Sequence, residues 1–235
     1  MKEYLLDYPS LIISLIVYGY ISKLTFLLWI KTKNHIIFIF LMLIFGLIYD
    51  IIIILLGSFI NDNLLLLLNK FRFIFHGLFV PLLILFCGYA LNLSGILYYI
   101  NLFTNVILSL IGFILGIISR LKIVEGTLMK RYTFSEENSS CILIFFVFIN
   151  ISCVVYLVIT GIILFTIKGD YFFLLAGDFM FFFAVAGTLI RKPNLNYLFS
   201  MYGEVLMIIF LYLFFKNKTP EIIQIKAKIE KNKLN

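Results

Sequence analysis

Residues 36–60 read IIFIFLMLIFGLIYDIIIILLGSFI, twenty-five positions carrying a single charge, Asp50. A helix that crosses the roughly 30 Å hydrocarbon core of a bilayer needs about 20 mostly apolar residues, so this stretch is long enough to span a membrane. Charge clusters and turn residues mark out six further segments of the same kind, at 9–30, 71–93, 97–118, 142–167, 171–190 and 196–215. The composition agrees: 63% of the 235 residues are apolar and 13% charged, against about half and a quarter in soluble domains. These proportions exclude a disordered chain, a disulfide-stapled secreted domain and a soluble enzyme on one anchor. The expected fold is all-α, a bundle of about seven transmembrane helices in one domain over 1–215, with a basic tail over 216–235.

The first segment follows Lys2, Glu3 and Asp7, is too long for a signal-peptide h-region and has no small-residue cleavage site, so it reads as a retained helix. Between the second and third segments, Leu64 to Leu68 form an apolar run between polar ends that is too short to span and is expected to lie in the interface. Asn92-Leu93-Ser94-Gly95 predicts a tight turn, making the flanking helices an antiparallel hairpin. The loop from Ser119 to Ser140 is expected to hold no domain of its own. In the tail, Thr219-Pro220-Glu221 reads as the start of a separate helix, with Ile222, Ile225 and Ile229 on one face opposite lysines 226, 228, 231 and 233. Such a helix would lie on an anionic membrane surface. Lys and Arg of the connections and tail divide evenly between the two sides, nine and nine, so only the basic tail favours an orientation, with the tail cytoplasmic. Gly112 and Gly116, and Ala184 with Gly187, mark close helix packing. Cys87, Cys141 and Cys153 show no metal or redox spacing and read as free thiols.

Charges inside spans cost about 2.5–3.5 kcal/mol each on insertion scales, so each needs a partner or a role. The ionisable groups singled out on this ground are Asp50, His76, Asp178 and Glu204, with Arg72 and Arg191 near helix ends. Helix direction brings Asp50, Arg72, His76 and Glu204 toward one leaflet, while Asp178 falls near the midplane. Asn150 and Tyr197 extend the same polar cavity. Arg72 and His76, four apart, share a helix face, and Pro81 predicts a kink one turn on. Asp50 and Gly57 share a face of the second helix, where the glycine permits close approach.

The seventh segment has no lysine for a retinal Schiff base, and the second histidine, His35, lies in a loop, which sets aside bis-His haem. No metal-ligand spacing, P-loop, nucleophile elbow or HExxH is present, and the basic residues are scattered, so the sequence indicates neither a metal site nor nucleic acid binding and names no cofactor.

Tyr49-Asp50, Gly57, Leu67-Leu68-Asn69, Arg72-Phe73-x-x-His76 and Pro81-Leu82-Leu83 together resemble the motif of a widespread family of bacterial multi-pass membrane proteins of unassigned function. The family pattern has an Asn after the Tyr-Asp pair and a more acidic loop; here Ile51 and a single acid, Asp62, stand in those places. The resemblance implies a site at these residues in a bacterial inner or plasma membrane. Three functions are open. The first is binding or processing of a lipid or isoprenoid, with Asp50, His76 and Glu204 in acid-base roles and Arg72, Asp178, Asn150 and Tyr197 binding substrate. The second is proton-coupled transport of a small solute through Asp50, Asp178 and Glu204. The third is a non-catalytic assembly or immunity-type membrane protein. Beyond the bilayer, a lipid-like ligand is the one partner indicated.

Overall fold

The computed structural model describes residues 7–125, 130–189 and 193–234. Along the chain run α1 (Asp7–Thr32), α2 (His35–Leu56), α3 (Asp62–Phe79), α4 (Leu82–Ala90), α5 (Gly95–Ile118), strands β1 (Leu121–Glu125) and β2 (Lys130–Phe134), then α6 (Ser140–Lys168), α7 (Phe172–Leu189) and α8 (Pro193–Leu234). Among the described residues, six stretches are long and apolar enough to cross a membrane: α1, α2, α3 with α4, α5, α6 and the first part of α8. The chain is therefore a multi-pass membrane protein. The expected seventh span, in α7, has an apolar stretch of Phe172–Gly187, about 24 Å long and shorter than the hydrocarbon core.

Several boundaries differ from the sequence expectation. The second span ends at Leu56 instead of Ile60, and the five leucines are not a separate interfacial segment. Asn61 caps a helix at that point, its side chain accepting from the Leu64 N–H at 2.9 Å, so the leucines form the first turns of α3. The third span is split at Val80–Pro81, where the ring of Pro81 interrupts the ladder. α5 repairs the break with one of its faces: Ser109 donates to Leu78 O, Asn105 to Pro81 O and Asn101 to Ile84 O, at 3.1, 2.6 and 2.9 Å. The tight turn into α5 uses left-handed backbone at Asn92 and Gly95, φ +54 and +57.

The long loop contains a two-stranded antiparallel hairpin pairing Leu121 with Phe134 and Glu125 with Lys130. Asn138 closes it at the base, accepting from Arg120 N at 2.7 Å and donating to Arg120 O at 2.8 Å. The hairpin docks on the helix ends below it. Lys130 pairs with Asp62, the Tyr132 hydroxyl donates to Asp62 O, and Phe134 packs on Phe73 at 4.5 Å. Gly57 faces the Lys130 carbonyl so closely that a Cβ would collide with it. Lys70 reaches the open carbonyls of Ile117 and Ser119 at the C-terminus of α5, a favourable place for a cation.

The bundle packs α3 against α5, α6 against α7, α7 against α8, and α1 against α2 and α8. Its core is aromatic: Phe40 meets Phe86 and Phe215 at 5.8 and 5.1 Å, and Phe173 meets Phe214 at 5.0 Å. Glycine sets the closest approaches. Gly77 and Gly112 meet backbone to backbone, Gly116 lies on Ile74, and Gly161 and Gly177 lie on the backbones of Leu174 and Val158. In α7, Gly177 makes this backbone contact, and the expected Gly187 is buried as well. The last helix does not restart at Thr219. Phe215 and Thr219 are buried, Lys218 donates to Ala90 O at 3.1 Å, and Pro220 lies inside a continuous helix. Side chains from Glu221 onward, with the expected amphipathic face, and Arg191 and Lys192 lie outside the described residues.

Gly112→Val is expected to destabilise the protein by about 1–3 kcal/mol or more, since a side chain must enter a backbone contact. Gly19→Ala, with nothing within 4 Å of the new methyl, is expected to stabilise it by about 0.5–1 kcal/mol. Thermal unfolding of both in mild detergent checks the contrast.

Candidate functional site

The polar centre is an ion pair inside the bundle. Arg72 Nε of α3 lies 2.5 Å from Asp50 Oδ1 of α2, with side chains 8% and 14% exposed. Asp50 is six residues from the end of α2, about 9 Å below it. Further hydrogen bonds hold both partners of the pair. Arg72 Nη1 donates to Asn69 Oδ1 at 2.8 Å and to the Tyr132 carbonyl at 3.5 Å, and Tyr197 of α8 donates its hydroxyl to Asp50 Oδ2 at 3.2 Å. Asn69, fully buried, is itself fixed by donating to Leu65 O at 2.9 Å. Its place three residues before Arg72 puts both on one helix face. Arg131 of β2 lies 4.8 Å over the Tyr197 ring and is buried. Burial lowers its pKa, as does the Arg72 charge, while Tyr197 and Asp50 act the other way.

One turn beyond Arg72, the His76 ring stacks on Phe146 at 6.1 Å. It stands between two spaces: a narrow gap shared with Asp50 and Arg72, and a cavity of about 450 Å³ bounded by α2, α3, α4, α6, α7 and α8. His76, Asn150, Ser200 and Glu204 are its polar lining, set among Leu43, Leu47, Val80, Leu83, Val154, Met180 and Met207. Asn150 donates to Phe146 O at 2.8 Å and sits in hydrogen-bonding reach of His76. Glu204 is close enough to Asp50 and Arg72 to feel both charges, and Ser200 lies one turn before it on α8.

Of the residues singled out in the sequence, Arg72 and Tyr197 each bond Asp50, and His76, Asn150 and Glu204 line the adjoining cavity. Asp178 is exposed on α7 and is not part of that lining. Sequence reasoning missed Arg131, Ser200 and Tyr18 of α1. Tyr18 has a fully buried hydroxyl with no hydrogen-bond partner among the described residues and lies near Glu204, Tyr197 and Asp50. The spacing of Ser200 and Glu204, four apart, was a readable signal; nothing in the loop marked Arg131 as the residue folded over Tyr197.

No group of three metal-ligating side chains stands together among the described residues. Compared with known proteins, the chain matches no family model and no curated protein.

Asp50→Asn leaves Arg72 as an uncompensated buried cation and is expected to cost about 3–5 kcal/mol, whereas Asp50→Leu with Arg72→Met restores most of the loss. Unfolding of the single and double variants in one detergent measures the difference.

Proposed function

We propose that the protein takes a lipid-like amphiphile from the bilayer into this cavity and acts on its polar end by acid-base chemistry at His76 and Glu204. The observation that carries the reading is the direction in which the cavity opens. α6 and α7 touch backbone to backbone at Gly161 and Gly177, and the facing pairs toward the hairpin side continue as cavity wall. The residues at that wall, Ile151 and Val155 on α6 and Phe181 and Val185 on α7, are also exposed, Ile151 by 56% and Phe181 by 49%. In a membrane, apolar side chains so exposed face lipid. A chain can therefore enter sideways, between two helices, without crossing water.

The size and lining support the same reading. Ligand sites of about 300–1,000 Å³ are lined mainly by apolar groups, with a few convergent polar ones that orient the ligand. Here those polar groups lie on three different helices, α3, α6 and α8. His76 suits proton transfer because imidazole both accepts and donates near neutral pH, and Glu204 supplies the complementary carboxyl. Asp50 and Arg72 serve as positioning residues in this reading: their ion pair fixes the α3 face that carries His76. The resemblance to a family of bacterial multi-pass proteins is consistent with a site at these residues.

Native mass spectrometry of the protein released from nanodiscs tests the proposal. Wild type is expected to retain a single lipid or isoprenoid species. Ala184→Trp or Val154→Phe, which fill the cavity wall, should reduce retention by about tenfold or more, and His76→Ala should retain the ligand but abolish its turnover. Equal retention of the same bulk lipids by wild type and both cavity-filling variants would overturn the reading.

A further inference from the structure

The charge inventory of the cavity narrows its ligand, provided that the reading of a lateral lipid cavity holds. Among the described residues, neither Lys nor Arg lines it; its ionisable groups are Glu204 and His76. The nearest guanidinium is committed elsewhere. Arg72 points its Nε at Asp50 and its Nη1 at Asn69 and the Tyr132 carbonyl, and Arg131, over the Tyr197 ring, is not part of the cavity lining. At the broken helix beside the cavity two backbone amides are already used: Leu83 N–H bonds Val80 O at 3.1 Å and Ile84 N–H bonds Pro81 O at 2.9 Å.

A phosphate or carboxylate brought into this space would lose its hydration, meet no lysine or arginine in the cavity wall and face the Glu204 side chain. A buried charge without a partner is strongly disfavoured. A hydroxyl or an ammonium meets the opposite situation. It can donate to Glu204 and share hydrogen bonds with Asn150, Ser200 and His76, all of which have side chains that accept and, apart from a carboxylate, donate. Apolar residues on five helices then cover the chain behind it. We infer that the ligand of this cavity is a long-chain alcohol or amine, and that phosphate esters and fatty acids are rejected.

The test uses the full-length protein in nanodiscs, offered equal amounts of hexadecanol, hexadecylamine, hexadecyl phosphate and palmitic acid, with retention read by native mass spectrometry. The alcohol or the amine is expected to be retained about tenfold or more over both anions. Glu204→Gln should cut amine retention by about tenfold, the loss of a hydrogen bond to a charged group, with the unfolding temperature unchanged. Ser200→Lys, which adds a cation to the same wall, should shift preference toward the phosphate. If wild type retains hexadecyl phosphate or palmitate as well as the alcohol, and Ala184→Trp abolishes that retention, the inference fails while the lipid cavity stands. If none of the four is retained, or retention is indifferent to Ala184→Trp, the cavity reading fails and the inference falls with it.

Discussion

The Asp50–Arg72 ion pair sets the geometry of the polar end of this bundle. Two charges 2.5 Å apart inside a membrane protein are tolerable only if every remaining lone pair and proton finds a partner. That requirement draws in neighbours from three elements. Asn69 comes from α3 itself, the Tyr132 carbonyl from β2, and the Tyr197 hydroxyl from α8, while α2 supplies the acid. A helix pair, a hairpin and the last helix are thereby joined at one point, and the face of α3 that carries His76 is held toward the cavity.

Away from that point the bundle has no hydrophobic driving force to rely on, since lipid tails are as apolar as its side chains. It uses close backbone contact instead, through Gly77 on Gly112, Gly161 on Leu174 and Gly177 on Val158. The cavity is the complement of this packing. α6 and α7 meet tightly over one part of their length, and side chains of intermediate size leave space over the rest.

The membrane class and most helix positions could be read from the sequence because an apolar run of about 20 residues has one favourable outcome in lipid. The convergence of Asp50 with Arg72 followed from helix direction, since antiparallel neighbours place residues near one end at similar depth. Which way a helix faces is a different matter. Asp178 sits in α7 as apolar a segment as any, and its outward orientation depends on Gly177, next to it, being taken by Val158. The hairpin was hidden because its strands are five residues each, short enough to read as loop, and their stability comes from Asp62, Phe73 and Arg72 elsewhere in the chain. The leucines of α3 and the continuation of α8 past Pro220 were obscured for a related reason: polar residues at 61–63 and 216–219 look like boundaries until Asn61 is seen capping and Lys218 is seen bonded to Ala90.

The three side chains that bridge α5 to the interrupted helix act as a vernier between two rods. Asn101, Asn105 and Ser109 address the carbonyls of Ile84, Pro81 and Leu78 in descending order, as antiparallel neighbours must. Sliding α5 by one residue, about 1.5 Å, would misalign all three bonds together. Glycine contacts alone are smooth and would permit such slippage. The polar ladder removes it, so α3, α4 and α5 behave as one stiff plate against which the remaining helices are arranged.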